Sequence, residues 1–179
     1  MIPMKHLAIG LSVVAVLGTA AVHARAENES KAPSTQSFVY KKTKQANLEI
    51  VVHYPPGWKE SDQRSAIVFF FGGGWENGTI KQFESQASHL AGRGMVAARA
   101  DYRVKSRHGV TPKECVEDAK SAIRWVRQNA AKLGADPNRI VAAGGSAGGH
   151  IAACTALTPG LDAEGEDTKV SSLQPRHFL

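Results

Sequence analysis

Apolar and polar positions follow two rhythms along this chain. Phe38 to Lys42 and Leu48 to Tyr54 alternate residue by residue, the period of strands with one buried face. Pro55-Pro56-Gly57 stops the second of them. Ala66 to Phe71 is an unbroken apolar run ended by glycines, which predicts a strand buried on both faces, and Met95 to Ala100 predicts another. Gln82 to Ala91 has a helical pattern and stops at Gly92. Thr111-Pro112-Lys113-Glu114 is a capping box with proline at the first helical position. The helix it opens places Cys115, Ala119, Ala122, Ile123, Val126 and Ala130 on one face and is expected to run to Leu133, with Gly134 as its stop. Asp136-Pro137 then reads as a turn, Arg139 to Ala143 as a short strand, and Ala147 to Leu157 as a helix of small residues. Strands alternating with helices imply parallel crossovers and an α/β class, a mostly parallel sheet with helices on both faces.

Composition narrows the picture. The 179 residues are 42% hydrophobic and 21% charged, ordinary globular values that exclude wholesale disorder and leave room for one domain. No internal repeat is visible. The net charge is +6, but lysines and arginines are scattered and never interleaved with aromatics, which argues against a nucleic-acid partner. Two cysteines, Cys115 and Cys154, are too few for a disulfide scaffold, and whether they meet is open.

The first residues have the order of an export signal. Lys5 precedes an apolar run from Leu7 to Val22, and Ala24-Arg25-Ala26 supplies the small residues of a cleavage site. The run is shorter than the roughly 20 residues a spanning helix needs. Residues 1–26 are therefore expected to be a signal peptide cleaved after Ala26, residues 27–37 a polar leader, 38–170 the folded domain and 171–179 an irregular tail. The expectation is a secreted or periplasmic protein without stable membrane insertion.

Two glycine-rich loops carry the chemistry. Gly144-Gly145-Ser146-Ala147-Gly148 sits between a predicted strand and a predicted helix, the context that turns G-x-S-x-G into a nucleophile elbow. The sharp turn lifts the Ser146 hydroxyl above the sheet and sets it at a helix N-terminus, where developing negative charge is favoured. A phosphate-binding loop fits less well, because no Lys-Ser/Thr pair stands in this glycine loop and the glycine spacing is wrong for a dinucleotide. The second loop, Gly72-Gly73-Gly74-Trp75, follows the Ala66–Phe71 strand and exposes backbone N–H groups of the kind that acyl transfer aims at a tetrahedral oxyanion.

Together the two loops resemble those of the α/β-hydrolase fold, in particular the hormone-sensitive-lipase-like and acetyl-esterase-like carboxylesterases. The first is similar to that family's H-G-G-G-W motif, and Gly-Gly-Ser-Ala-Gly-Gly-His to its elbow; Asp101-Tyr102-Arg103 and Asp136 to Ile140 are similar to further family stretches. The resemblance spans residues 38 to 160. It implies Ser146 as nucleophile, the N–H groups of Gly73, Gly74 and Ala147 as oxyanion hole, and no metal or organic cofactor; Trp75, which adjoins that hole, is the best candidate for a pocket residue, with core packing as the other reading. One departure is Phe71, which stands where the motif has a histidine that organises the loop.

A serine nucleophile needs a base and an orienting acid, which in this fold follow it in the order Ser, Asp/Glu, His. After Ser146 come Asp162, Glu164, Glu166 and Asp167, with His150 and His177. His150 lies one turn into the nucleophile's own helix, pointing away from the hydroxyl, and reads as a packing or surface residue. His53, His89 and His108 precede the serine and read as surface or structural. An Asp162–His177 pair would need the short tail to fold over the sheet. The chain therefore reads as the N-terminal part of a longer hydrolase, with Ile140 to Ala143 left as an unpaired apolar edge. Two functions stay open: a serine hydrolase of short-acyl, for example acetyl, esters on a small molecule or carbohydrate, with a peptidase of the same fold as a close variant; or a non-catalytic remnant.

Overall fold

The computed structural model describes residues 34–172. The expected signal peptide and His177 lie outside the described residues. The strands are β1 (Thr35–Lys42), β2 (Asn47–His53), β3 (Arg64–Phe70), β4 (Val96–Ala100) and β5 (Ala135–Gly144). The helices are α1 (Glu84–Gly92), α2 (Lys105–His108), α3 (Pro112–Gln128) and α4 (Ala147–Leu157).

The strands form one sheet in the order β1-β2-β4-β3-β5. β2 pairs antiparallel with both β1 and β4, while β3 lies parallel between β4 and β5, so only β2 runs against the rest. Alternation along the central strands divides the core. Ala66, Val68, Phe70, Val96, Ala98 and Ala100 face the larger cluster, which includes Cys115, Ala119, Ile123 and Val126 of α3 and Ile151 of α4. Ile67, Phe69 and Ala97 face the smaller cluster with Ala87 and Ala91 of α1. Connection handedness accounts for this split. The chain steps from β3 to β4 in one direction and from β4 to β5 in the other, so right-handed crossovers place α1 and α3 on opposite faces.

The expected capping box forms: Glu114 Oε2 accepts the Thr111 N–H at 2.8 Å. All six residues placed on the apolar face of this helix are buried. Its polar face is buried too. Asp118, with no exposed surface, accepts from Arg103 Nε and Nη2, each at 2.8 Å, and from Lys41 Nζ at 2.9 Å. These bonds tie α3 to β1 and to the exit of β4.

Several boundaries differ from expectation. β1 starts at Thr35, inside the stretch read as leader. The Asp136-Pro137 turn lies inside β5: Arg64 pairs Ala135 and Ala66 pairs Ile140, so residues 136–139 bulge opposite Ser65, with Asp136 Oδ1 accepting the Asn138 N–H at 2.8 Å. α3 ends at Gln128 rather than Leu133, and turns carry the chain to Gly134 at φ +62°. The four-residue α2 carries no apolar periodicity, so nothing in the sequence pattern predicts it. Among the described residues β5 is an edge strand, with Ile140 buried but Val141 48% exposed.

Candidate active site

β3 and β5 are parallel neighbours whose following helices cross to opposite faces, α1 to one and α4 to the other. Such a switch opens a crevice beyond the carboxyl ends of the strands, where α/β proteins bind ligands. Both glycine-rich loops leave the sheet there. The register places them level: Phe70 pairs Gly144, so Gly72 and Ser146 each stand two residues past the same rung.

Ser146 has φ +52° and ψ −121°, one of two non-glycine residues with positive φ among those described. A side chain in that region costs about 1–3 kcal/mol and persists only where the surroundings enforce it. Here the surroundings are backbone. A Cβ on Gly148 would stand 2.1 Å from the Phe70 carbonyl oxygen and 2.4 Å from that of Phe71. Only glycine lets the first turn of α4 close against the end of β3. Ser146 is exposed and caps α4, and Ala147 begins the helix.

A Cβ on Gly72 would meet the Gly145 oxygen at 2.6 Å, so this loop is packed on the elbow. Gly73 and Gly74 have φ +137° and +63°, and Trp75, the other non-glycine with positive φ, has +60°. The Gly73 carbonyl turns back to accept the N–H groups of Glu76 and Asn77 at 3.1 and 3.0 Å. Among the described residues no acceptor takes the N–H of Gly73, Gly74 or Ala147, which leaves all three free to donate. The unforeseen α2 braces the loop from outside: Lys105 N–H donates to Trp75 O at 3.0 Å and Ser106 N–H to Glu76 O at 3.1 Å.

The other residues singled out fall as follows. Trp75 is half-buried and meets the His150 ring edge-on, centroids 5.3 Å apart, so it flanks the helix that carries Ser146. His150 is exposed, touches Trp75 and Cys154 Sγ, and makes no bond with the Ser146 hydroxyl. Phe71 is buried and stacks on Tyr102, centroids 4.1 Å apart. His108 accepts the Val104 N–H, and His53 is buried against Arg99. Asp162 is ion-paired with Lys120 at 2.8 Å and with Arg124, both on α3. Burial raises its pKa, but these two cations outweigh that and hold it below the usual value. It follows the far end of α4 from Ser146, in a poor place to orient a base. Cys115 and Cys154 are free thiols; burial pushes Cys115 up to about 12, which leaves it unreactive. Among the described residues no cluster of side chains suits a metal ion, and no helix is long and apolar enough to cross a membrane.

Comparison with known proteins agrees with this architecture. Carboxylesterase NlhH of Mycobacterium tuberculosis is 36% identical over 111 residues, which cover 62% of this chain and 34% of NlhH. Esterase LipC of the same organism is 38% identical over 127 residues, covering 65% of this chain and 31% of LipC. Esterase 2 of Thermogutta terrifontis, in a structure phosphonylated by cyclosarin, superposes with a TM-score of 0.77 at 56% identity, covering 80% of this chain and 55% of that one. The chain thus spans about a third of the curated relatives it matches and about half of the solved esterase. The BD-FAE family model matches residues 50–176. With that match over most of its length, the chain belongs to the BD-FAE family, among the carboxylesterases of the α/β-hydrolase fold.

Proposed function

We propose that the chain carries the nucleophile and oxyanion-binding parts of a serine carboxylesterase acting on short-acyl esters. The observation that carries this reading is Ser146 held at φ +52° above β5, level with a glycine loop whose Gly73 and Gly74 N–H groups are unengaged. In the proposed reaction Ser146 Oγ attacks the ester carbonyl carbon as its proton passes to a base. The N–H groups of Gly73, Gly74 and Ala147 stabilise the tetrahedral oxyanion. Collapse breaks the bond to the alkoxy oxygen, which leaves with the proton as the alcohol. Water then hydrolyses the acyl-Ser146 ester and releases the acid.

Short acyl groups are favoured because Thermogutta terrifontis esterase 2 has propionate-bound and butyrate-bound structures. An acetyl group on a small alcohol or carbohydrate falls in the same class. The same esterase is phosphorylated by paraoxon, which supports an activated nucleophile in this fold. The signal-like residues 1–26 support export to the periplasm or beyond.

A second reading, a non-catalytic chain with inherited loops, is favoured by one observation: none of the described residues offers Ser146 a base. Paraoxon decides between them. A diethylphosphoryl adduct located at Ser146 by peptide mass spectrometry, and lost in Ser146→Ala, supports the esterase site. A folded chain that takes no adduct, or keeps it in Ser146→Ala, overturns it.

A further inference from the structure

Gly72 is buried and lies beyond Phe70, the last residue of β3 paired to Ala100 and Gly144. Its N–H has left the ladder without reaching water, so it needs another acceptor. The side-chain amide oxygen of Gln82 provides one at 2.6 Å. A backbone N–H can only donate, so oxygen and not nitrogen of this amide faces it. The other end of the same peptide unit is the Phe71 carbonyl, which accepts from Tyr102 Oη at 2.6 Å. One peptide plane is thus held at both ends by side chains from two separate segments. Immediately after it come the two glycine amides assigned to the oxyanion. Phe71 contributes an aromatic ring packed on Tyr102, which holds the same segment from the core side.

We infer that Gln82 is a positioning residue for the oxyanion loop, acting with Tyr102 as a clamp on the Phe71–Gly72 peptide. Without the Gln82 oxygen the buried N–H would have to turn toward solvent. That rotation would carry Gly73 and Gly74 with it. Tyr102 is fully buried in the main core, so its removal would test folding as much as position. Gln82 is exposed, which makes it the better handle.

The inference rests on the oxyanion reading of the loop, and the test separates the two. Gln82→Met keeps the side-chain length without the acceptor; Gln82→Glu keeps an acceptor. Amide hydrogen exchange at Gly72, Gly73 and Gly74 by NMR reads the clamp directly, and the rate of paraoxon phosphorylation reads its effect on chemistry. Gln82→Met should speed Gly72 exchange and slow phosphorylation, each by about tenfold or more, with Gln82→Glu close to wild type in both. Exchange and phosphorylation within about twofold of wild type in Gln82→Met would overturn the clamp, as would Gln82→Glu behaving like Gln82→Met. A wild-type chain that takes no phosphoryl group would sink the esterase reading, while the exchange measurement still judges the clamp.

Discussion

Gly148 sits so close to Phe70 that a single added carbon would stand 2.1 Å from the Phe70 carbonyl oxygen, well inside contact distance. The neighbouring atoms are backbone of a central strand and cannot swing aside. Gly148→Ala should therefore cost about 3 kcal/mol or more in urea unfolding. Gly92→Ala is the control: nothing lies within 4 Å of its Cβ and its φ is not positive, so it should gain about 0.4–1 kcal/mol through the unfolded chain. Equal effects at the two positions would refute the close-packing account of the elbow.

Ser146 makes the opposite prediction. Its positive φ is strain that glycine does not feel and alanine does. Ser146→Gly should be more stable than Ser146→Ala by about 1 kcal/mol or more, although both lose paraoxon labelling. Thermal unfolding of the two variants side by side checks this, and equal midpoints would show that the turn stores no strain.

How far this arrangement was legible beforehand follows from which residues carry local signals. The Ala66–Phe71 run, the Thr111–Glu114 box and the Gly-x-Ser-x-Gly elbow announce themselves within a few positions, and each formed where expected. What stayed hidden depends on residues distant in sequence. Gln82 carries no local sign of reaching Gly72, because that bond forms only once the turns between β3 and α1 bring the two together. Lys120, Ser121 and Arg124 carry no local sign of burial, yet Thr158, Asp162, Glu166 and Val170 fold over them. Asp136-Pro137 has turn chemistry and does turn locally, but β5 absorbs the turn as a bulge.

The buried side of α3 carries its own prediction. Asp118 answers two cations, Arg103 and Lys41, with no exposed surface. Asp118→Asn keeps the shape but leaves those cations only the longer pairs to Glu117 at 4.0 Å and Glu166 at 3.8 Å, and should lose about 3 kcal/mol. Because the site is dry, the loss should change little with added salt, as urea titrations at low and high ionic strength would show. A small, salt-sensitive change would mean that the network is a surface pair.

His53 predicts a pH dependence. Arg99 Nε donates to its Nε2 at 3.0 Å, so the ring proton sits on Nδ1, 3.3 Å from Ser88 Oγ. Burial first, then Arg99, lowers its pKa below 6.5, while Glu84, paired with Arg99, pulls weakly the other way. The unfolded chain then binds a proton near pH 6.5 that the folded chain refuses. Stability from this group is complete above pH 6.5 and is lost as pH falls through the lower folded value. Melting midpoints from about pH 7.5 to about 5.5 should fall more in wild type than in His53→Gln. Parallel slopes would remove His53 from the account.

The shared rung of Phe70 and Gly144 means that the glycine loop and Ser146 hang from one joint. Their separation is set where β3 meets β5, whereas β1 and β2 lie beyond β4 on the other side. Sequence drift in that outer hairpin can weaken or strengthen the molecule without detuning the spacing of these two loops. A change along β3 has no such freedom, since it shifts the mount on which both are carried.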